Sequence, residues 1–361
     1  MIDTTGNNKT LIFFGELPPK TNHGVSISNQ INLTFLKEKF NVVVVEEFSD
    51  LKFHDRFSVQ KMFTFLRSCV KFNREVSHSP HIDIFYTILY QSLFGILKNA
   101  ISIFLFRRKF KSSKVILHVH RSDFNSFYSS RINKLLFDYV SKNTDKFLLL
   151  ARGQMSVFPV ADAKKSVIYN TIEYEVDTPV YGLKTAPYKL INISNYIPQK
   201  GLAELLDALK LLPQTQFSLD AYGNISDPDF YNSIVAKAKE TSNVQIHEAI
   251  NGAVKFERLK QAQLFICPSH NEGFPLVLLE AMSVGLPIVT TKVGFIEEML
   301  GSDYPLYCEP NSATSLAQAI NQFFELENKQ ELSERIKHLY HAKFSRLVHK
   351  QVLNQIFDIE N

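Results

Sequence analysis

The sequence predicts an α/β protein with two doubly wound parallel sheets, and three observations support this class. Short apolar runs alternate with helix-length segments along the chain, as in proteins whose helices cover both faces of a parallel sheet. The chain has 361 residues, more than one hydrophobic core usually serves, so two domains are expected. Hydrophobic residues make up 45% and charged residues 21%, which is typical of a globular chain.

The first half begins with a buried strand, a proline-containing loop and a helical pattern, predicted at 10–14, 15–19 and 27–36. Further strands are predicted at 41–45, 82–86, 115–119, 147–151 and 166–169. Proline and glycine then cluster, so a linker is expected at 179–187 and a first domain at 1–178.

The second half repeats this alternation, and a second domain is predicted at 188–361. Its predicted strands are 189–193, 216–222, 244–247, 264–267 and 288–291. Its predicted helices are 201–212, 254–262, 315–326 and 329–344, with the last helix able to pack back on the first domain. Two Rossmann-like domains that face each other would leave an interdomain cleft.

Motifs of the usual rival classes are absent. No Gly-x-Gly-x-x-Gly follows the first strand and no Gly-Lys-Ser/Thr loop occurs, which argues against nicotinamide dehydrogenases and P-loop enzymes. Three widely spaced cysteines suggest neither a disulfide framework nor a zinc site. Because no signal peptide or long apolar span is visible, a cytoplasmic location is expected, either soluble or peripheral on the inner face of the plasma membrane.

Positive charge is concentrated in residues 51–115, which hold twelve lysines and arginines against three acids, a net charge of +9. The segment is also rich in phenylalanine. Two interpretations stay open: a basic aromatic face that contacts anionic membranes, or an ordinary solvated surface. Arg107, Arg108 and Lys109 form the densest cluster. Nothing in the chain resembles a nucleic-acid-binding module.

The most informative stretch places Glu272 and Glu280 eight positions apart around a strand-to-helix turn. It follows the predicted strand at 264–267, where α/β proteins bind their ligands. Gly273 lets backbone approach a ligand, and the helix amides after Pro275 would face an anion. On spacing alone, two solvated helix charges would explain the glutamates. The surrounding Gly-Phe-Pro, Glu-Ala-Met and Gly-Leu-Pro segments instead favour a site for a sugar nucleotide.

These motifs resemble the donor site of the retaining glycosyltransferases of family 4, which share the two-domain GT-B fold. The resemblance implies that Glu280 binds the donor ribose and that the turn at Glu272 and Gly273 holds the sugar. Lys200 matches a lysine that grips the diphosphate, whereas Asn195 stands where an arginine is usual. The implied donor-binding residues are Gly24, Asn195, Lys200, Gly273, Phe274, Pro275, Leu276 and Glu280.

Three residues are implied in catalysis: His120, Lys200 and Glu272. His120 ends a predicted strand at the position that usually meets the transferred sugar, although a histidine there is often structural. Gly24 resembles a glycine loop that approaches the donor phosphates.

The function implied by the resemblance is transfer, with retention, of a hexose or N-acetylhexosamine from a nucleotide diphosphate, with UDP expected. The acceptor would be a growing polysaccharide or lipid-linked glycan, such as a capsule or lipopolysaccharide precursor. No Asp-x-Asp metal motif occurs in a convincing loop, so no cofactor and no metal are expected. Two alternatives stay open: an epimerase or hydrolase of the same fold, and a non-catalytic partner subunit, which Asn195 would favour. The donor base, sugar, acceptor, linkage and oligomeric state are not specified by the sequence.

Overall fold

The computed structural model describes residues 9–21, 23–47, 59–121, 124–175, 186–241 and 243–358. The chain divides into two compact units. The first comprises Met1–Glu173 and His349–Asn361, and the second comprises Tyr174–Val348. Most of the predicted linker, residues 179–185, lies outside the described part of the chain.

Within its described residues, the first unit contains a six-stranded parallel sheet in the order β2-β1-β3-β4-β5-β6. The strands are β1 (Thr10–Gly15), β2 (Asn41–Glu46), β3 (Ile84–Ile88), β4 (Lys114–Val119), β5 (Lys146–Leu149) and β6 (Lys165–Val167). The helices before the chain leaves this unit are α1 (Gly24–Leu36), α2 (Val59–His78), α3 (Leu93–Lys109), α4 (Phe124–Tyr128), α5 (Arg131–Lys142) and α6 (Gly153–Val157).

Both faces of this sheet are buried, and alternate residues of each strand contribute to opposite cores. On β1, Ile12 and Phe14 join the core under α2, α3 and α5, whereas Leu11 and Phe13 join the core under α1. Burial on both faces explains why the strands are continuous apolar runs rather than alternating patterns.

The second unit contains, in the part described, another six-stranded parallel sheet, in the order β12-β11-β10-β7-β8-β9. Its strands are β7 (Tyr188–Ile193), β8 (Phe217–Gly223), β9 (Val244–Glu248), β10 (Leu264–Cys267), β11 (Ile288–Thr291) and β12 (Tyr307–Cys308). The helices are α7 (Leu202–Lys210), α8 (Pro228–Ala238), α9 (Gly252–Gln261), α10 (Leu276–Ser283), α11 (Ile296–Leu300), α12 (Ala313–Glu325) and α13 (Lys329–Lys343).

The last helix, α14 (Arg346–Ile356), begins in the second unit and continues into the residues grouped with the first. Its Leu353, together with Phe357 just beyond it, belongs to the first unit's core beside α1.

Each sheet has a position at which the chain reverses the direction of strand addition. In the first sheet it lies between β1 and β3, and in the second it lies between β10 and β7. Open α/β sheets bind ligands beyond the carboxyl ends of the strands at such positions. The topology therefore marks one candidate ligand edge in each unit.

Candidate functional site

The carboxyl ends of β7 and β10 bring Lys200 and Glu272 together. Lys200 Nζ donates a hydrogen bond to Glu272 Oε1 at 2.6 Å, and Ser269 Oγ donates to the same oxygen at 2.8 Å. The lysine and glutamate side chains are 24% and 11% exposed. The second unit thus holds a largely desolvated cation and anion at its switch point, where their charges are screened less than on an open surface.

Close backbone contact between the loop after β7 and the loop after β10 fixes the positions of Lys200 and Glu272. Gly201 has φ +70°, and a Cβ there would lie 2.1 Å from the carbonyl oxygen of Pro268, the residue after β10. The His270 amide donates to the Gln199 carbonyl at 2.9 Å. Only glycine satisfies both the positive φ and the close approach, so Gly201 allows the loop carrying Lys200 to touch the loop carrying Glu272.

The neighbouring strand β11 stabilises the loop after β10. Thr290 Oγ1 donates to the Cys267 carbonyl at 2.8 Å, and Thr291 Oγ1 donates to the Ser269 carbonyl at 2.6 Å. Burial raises the pKa of the Cys267 thiol to about 11, and the nearby Glu272 charge acts in the same direction. The thiol therefore stays protonated near neutral pH and does not serve as a nucleophile.

The turn between Glu272 and α10 is anchored by an aromatic side chain. The Phe274 ring is buried and packs against Phe344 at a centroid distance of 5.6 Å. Pro275 follows in an extended conformation, and α10 begins at Leu276. Because the ring points into the core, a ligand contact at Phe274 would involve its backbone rather than its side chain.

Glu280 lies in the second turn of α10 and is buried. Lys255, on α9, donates from Nζ to Glu280 Oε1 at 2.6 Å. Sequence reasoning did not identify Lys255, because the two residues are 25 positions apart on different helices and no motif joins them. Its ammonium neutralises a carboxylate that would otherwise be costly to bury.

Asn195, by contrast, is exposed. Its side-chain oxygen accepts a hydrogen bond from Asn224 Nδ2 at 3.1 Å. The adjacent Tyr196 pairs with Ile225 as an isolated parallel bridge. The position where an arginine was expected therefore holds a neutral amide engaged with the loop after β8.

In the first unit, His118 and His120 lie at the carboxyl end of β4 with ring centroids 4.0 Å apart. Burial lowers the pKa of His120 to about 3, with His23 contributing, and lowers the pKa of His118 well below its ordinary value. Both imidazoles are consequently neutral near pH 7. His120 can take part in hydrogen bonding to a substrate without adding charge.

Gly24 is the first residue of α1, directly after the loop that follows β1. The preceding His23 caps this helix and also contacts Glu16 through Nε2 at 2.7 Å. The described structure therefore corrects the local prediction: the polar segment after β1 enters a helix earlier than the apolar periodicity indicated.

Two of the three cations in the predicted densest cluster, Arg107 and Lys109, bond backbone carbonyls of their own unit. Arg107 donates to the carbonyls of Asn143 and Ser113, and Lys109 donates to those of Ser77 and Ser79. Both cations lie in the last turn of α3, so most of the charge of this cluster is used in hydrogen bonds to the backbone of the first unit. Helix α2 instead exposes an interleaved apolar and basic surface, here called the α2 face: Phe63, Leu66, Arg67, Val70, Lys71 and Arg74.

Among the residues that the structure describes, no helix is both long and apolar enough to cross a bilayer.

Two parallel six-stranded sheets, each flanked by helices and each in its own unit, are the architecture of the GT-B fold. The crystal structure of HepE from Anabaena in complex with UDP covers 97% of this chain with a TM-score of 0.71 and 16% identity, over 99% of that protein. The same protein has been solved with UDP-glucose.

Residues 174–338 match the family described as Glycosyl transferases group 1. The uncharacterized glycosyltransferase MJ1178 of Methanocaldococcus jannaschii is 25% identical over 282 residues, 76% of this chain and 73% of that protein. A GDP-mannose:cellobiosyl-diphosphopolyprenol alpha-mannosyltransferase of Xanthomonas campestris is 25% identical over half of each chain. The predicted fold class and the predicted enzyme class, a glycosyltransferase, are thereby confirmed.

Proposed function

We propose that the protein transfers a hexose or N-acetylhexosamine, with retention of configuration, from a UDP-sugar to a growing polysaccharide or lipid-linked glycan. The observation that carries this proposal is the contact between Lys200 and Glu272 at the switch point of the second sheet. Similarity to a protein solved with UDP and UDP-glucose supports the choice of nucleotide. A relative named for a diphosphopolyprenol substrate supports a lipid-linked acceptor.

Each part of the donor has a suitable partner in the second unit. The Glu280 carboxylate accepts hydrogen bonds from the ribose hydroxyls, while Lys255 holds that carboxylate in position. The amides at the start of α10 face the diphosphate. Glu272 and the Gly273 backbone contact the sugar, and Lys200 exchanges part of its contact with Glu272 for the diphosphate oxygens.

Charge development on the leaving diphosphate makes Lys200 more important in the transition state than in the ground state. The usual arginine is replaced by Asn195, which is exposed and bonded to Asn224, so Lys200 carries most of the cationic contribution from this loop. In the proposed mechanism the departing diphosphate guides the incoming hydroxyl on the same face of the sugar. Glu272 is already bonded to Lys200 and Ser269, an arrangement that suits orientation better than nucleophilic attack.

The transfer is proposed to need no metal ion, because Lys200 and the α10 amides supply the positive charge that the leaving group requires. Activity that survives EDTA would support this part of the proposal. Activity that disappears with EDTA and returns with Mg²⁺ or Mn²⁺ would contradict it.

The α2 face is proposed to hold the enzyme at an anionic membrane, which places a lipid-linked acceptor within reach. Its exposed side chains alternate between apolar and basic types: Phe63, Leu66 and Val70 are 65%, 49% and 69% exposed, and Arg67, Lys71 and Arg74 lie among them. This composition combines apolar insertion with attraction to anionic headgroups. A cytoplasmic location at the inner face of the plasma membrane follows from the same proposal.

A thermal-shift screen of nucleotides and nucleotide sugars tests the proposed donor. A ligand at a hundred times its dissociation constant stabilises the folded protein by about 2.7 kcal/mol. Stabilisation by UDP and a UDP-sugar, but not by other nucleotides, is expected. Preference for a GDP-sugar would correct the base while leaving the transferase class intact.

Product analysis separates the remaining alternatives. A transferase releases UDP faster when acceptor is present and forms a new glycoside, whose anomeric configuration reports retention. An epimerase or hydrolase would convert the donor at the same rate without acceptor. A non-catalytic partner subunit would bind the nucleotide but show no turnover above background.

A further inference from the structure

A cluster of buried polar groups lies at the carboxyl edge of the first sheet. Among the described residues of this unit, seven buried side-chain nitrogen or oxygen atoms have no hydrogen-bond partner, and five belong to four residues at that edge. These four residues, here called the edge cluster, are Asn29, Gln91, His118 and His120. Because buried polar atoms are nearly always paired, this concentration among the described residues points to a bound ligand.

Gln91 is the most pronounced member of the edge cluster. It follows β3, is 8% exposed, and both its Nε2 and its Oε1 are buried without a partner among the described residues. The adjacent backbone is firmly held, because the Tyr90 amide donates to Asn99 Oδ1 at 2.9 Å and Asn99 Nδ2 donates to the Ile88 carbonyl at 2.8 Å. The unpaired amide is thus attached to a well-anchored segment.

A buried ion pair reinforces that segment. Lys98 Nζ is bonded to Glu47 Oε1, and Tyr90 Oη donates to Glu47 Oε2 at 2.6 Å. The same ammonium lies 3.5 Å from the centroid of the Tyr90 ring. Residues from the ends of β2 and β3 and from α3 therefore fix Tyr90, and with it the start of the segment that carries Gln91.

Asn29, His118 and His120 surround the same switch point. Asn29 Nδ2 donates to the Glu16 carbonyl, immediately after β1, at 3.0 Å, and its Oδ1 has no partner in the described part of the chain. His118 and His120 end β4, the neighbour of β3 in the sheet, and the Nε2 atom of each is likewise unpaired there. Unpaired groups from α1, from the segment after β3 and from the end of β4 thus lie at the edge where open α/β sheets bind ligands.

The charges at this edge favour an uncharged ligand. Lys98 is neutralised by Glu47, and Glu16 adds a further largely buried carboxylate beside His23. Burial lowers the pKa of His118 and of His120, so neither imidazole adds positive charge near neutral pH. The nearby Arg121 is exposed. The buried groups offer no free positive charge to balance the negative charge of a phosphate or carboxylate. An amide and two neutral imidazoles instead suit hydroxyl groups, which both donate and accept hydrogen bonds.

We propose that Gln91, with Asn29 and His118 of the edge cluster, binds the uncharged sugar hydroxyls of the acceptor, while His120 keeps the contact with the transferred sugar that the sequence implies. This assignment rests on the proposed transferase function and specifies its acceptor: a neutral carbohydrate unit occupies the edge, and any phosphate or lipid of the acceptor lies away from it. The side-chain amide of Gln91 bonds two hydroxyl groups of that unit, one through Nε2 and one through Oε1.

The first test compares the stabilities of two variants that remove a buried amide. Gln91→Met removes an amide that the described residues leave unpaired, so the melting temperature should stay unchanged or rise. Gln154→Met is the matched control, because Gln154 is also buried but bonds the backbone of Leu150, Ala151 and Arg121, and its variant should melt at a lower temperature. A loss of stability in Gln91→Met as large as that in Gln154→Met would overturn the assignment, since it would show a structural role.

The second test measures carbohydrate binding directly. Saturation-transfer NMR is carried out with the methyl glycosides of glucose, galactose, mannose and N-acetylglucosamine, and with glucose 6-phosphate. At least one methyl glycoside should bind the wild type, and Gln91→Met should weaken that binding by roughly tenfold, as expected for losing two hydrogen bonds. The proposal fails if no methyl glycoside binds the wild type, if Gln91→Met binds as well as the wild type, or if glucose 6-phosphate binds more tightly than methyl glucoside.

UDP titration of the same samples tests the acceptor role of Gln91 independently of the proposed UDP-sugar donor. Gln91→Met should bind UDP with the wild-type affinity, because Gln91 belongs to the acceptor side. Weakened UDP binding in Gln91→Met would contradict an acceptor-specific role. If the wild type bound methyl glycosides but not UDP, the donor assignment would fail while the carbohydrate subsite would stand.

Discussion

Gly294 lies directly against the backbone carbonyl of Glu272. A Cβ at position 294 would come within 1.9 Å of that oxygen, and Gly294 has φ +58°. The next residue, Phe295, donates its amide to the Gly273 carbonyl at 3.2 Å. The segment after β11 therefore supports the turn that presents Glu272, and this support depends on the absence of a side chain at 294.

Gly294→Ala is expected to displace this turn and to weaken binding of the nucleotide sugar by roughly tenfold or more, since small misplacements of positioning groups are costly. Gly252→Ala is the matched control, because Gly252 has φ +55° but a Cβ at this position would meet only open space. Both variants should lose about 1–2 kcal/mol through the left-handed conformation alone. Isothermal titration with donor separates them; equal donor affinity in the two variants would show that the close contact does not matter.

Glu280→Gln is expected to weaken nucleotide binding by roughly tenfold or more, because it loses charge-assisted hydrogen bonds worth about 1.5–3 kcal/mol. Lys255→Met provides the comparison. It removes the ammonium that holds Glu280 but keeps the carboxylate, so its loss of affinity should be smaller. Titration with UDP and with uridine checks both, and an unchanged affinity in Glu280→Gln would remove Glu280 from the ribose site.

Lys200→Ala should lower kcat more than it raises the KM for the donor, because the lysine charge acts mainly on the leaving diphosphate. Steady-state kinetics with saturating acceptor measure both constants. Lys210→Ala is a suitable control, since Lys210 also pairs with a glutamate, Glu240, but on an exposed helix surface away from the carboxyl ends of the strands. A rise in KM with unchanged kcat in Lys200→Ala would assign the lysine to ground-state binding alone.

The double variant Arg67→Gln/Arg74→Gln should reduce co-sedimentation with vesicles that contain anionic lipid. Attraction near such a surface is worth about 1 kcal/mol per cation and decays within a Debye length of about 10 Å at 0.1 M salt, so wild-type binding should also weaken as salt rises. Lys37→Gln/Lys39→Gln removes the same charge from solvent-accessible residues beyond α1 and should bind like the wild type. Equal binding to neutral and anionic vesicles would show that the α2 face is an ordinary solvated surface.

Acid should destabilise the protein through the buried histidines. The pKa of His120 is about 3 in the folded state, whereas an unfolded histidine titrates near about 6.5. The unfolded chain therefore binds the proton first, and the free energy of unfolding falls as pH decreases below about 6.5, by at most about 1.4 kcal/mol per pH unit for this residue. Urea unfolding followed by circular dichroism should show a shallower pH dependence for His120→Gln, but not for His78→Gln, which changes an exposed histidine on α2. Identical slopes for the wild type and His120→Gln would contradict a neutral, buried His120.

Much of this architecture was predictable from sequence because the buried parallel strands are continuous apolar runs. The runs at 10–14, 41–45 and 264–267 coincide with β1, β2 and β10 to within a residue. By contrast, β12 has only two residues, Tyr307–Cys308, and nothing in so short a segment distinguishes it from a loop. Its strand conformation depends on pairing with β11, a contact that local sequence does not encode.

The candidate site was predictable only where a local motif carries the chemistry. Glu272 and Glu280 were identified from a single segment, and Lys200 from another, but the sequence could not show that Lys200 bonds Glu272 across 72 positions. Lys255 and Gln91 were missed because their interest lies in burial and pairing: one neutralises a buried carboxylate and the other has no partner among the described residues. Neither property depends on the neighbouring residues in the chain.

The return of the chain to the first unit at His349 has a consequence for its synthesis. Leu353 and Phe357 complete a core that also contains Leu33, Phe35 and Tyr86, yet they follow every residue of the second unit. Domains that form as contiguous segments can fold in order as they leave the ribosome. Here the second unit can fold first. One face of the first unit's sheet stays incompletely covered until Leu353 and Phe357 have been synthesised. Expression of 1–173 alone should therefore give a chain that depends on chaperones, and supplying 346–361 as a separate peptide should relieve that dependence.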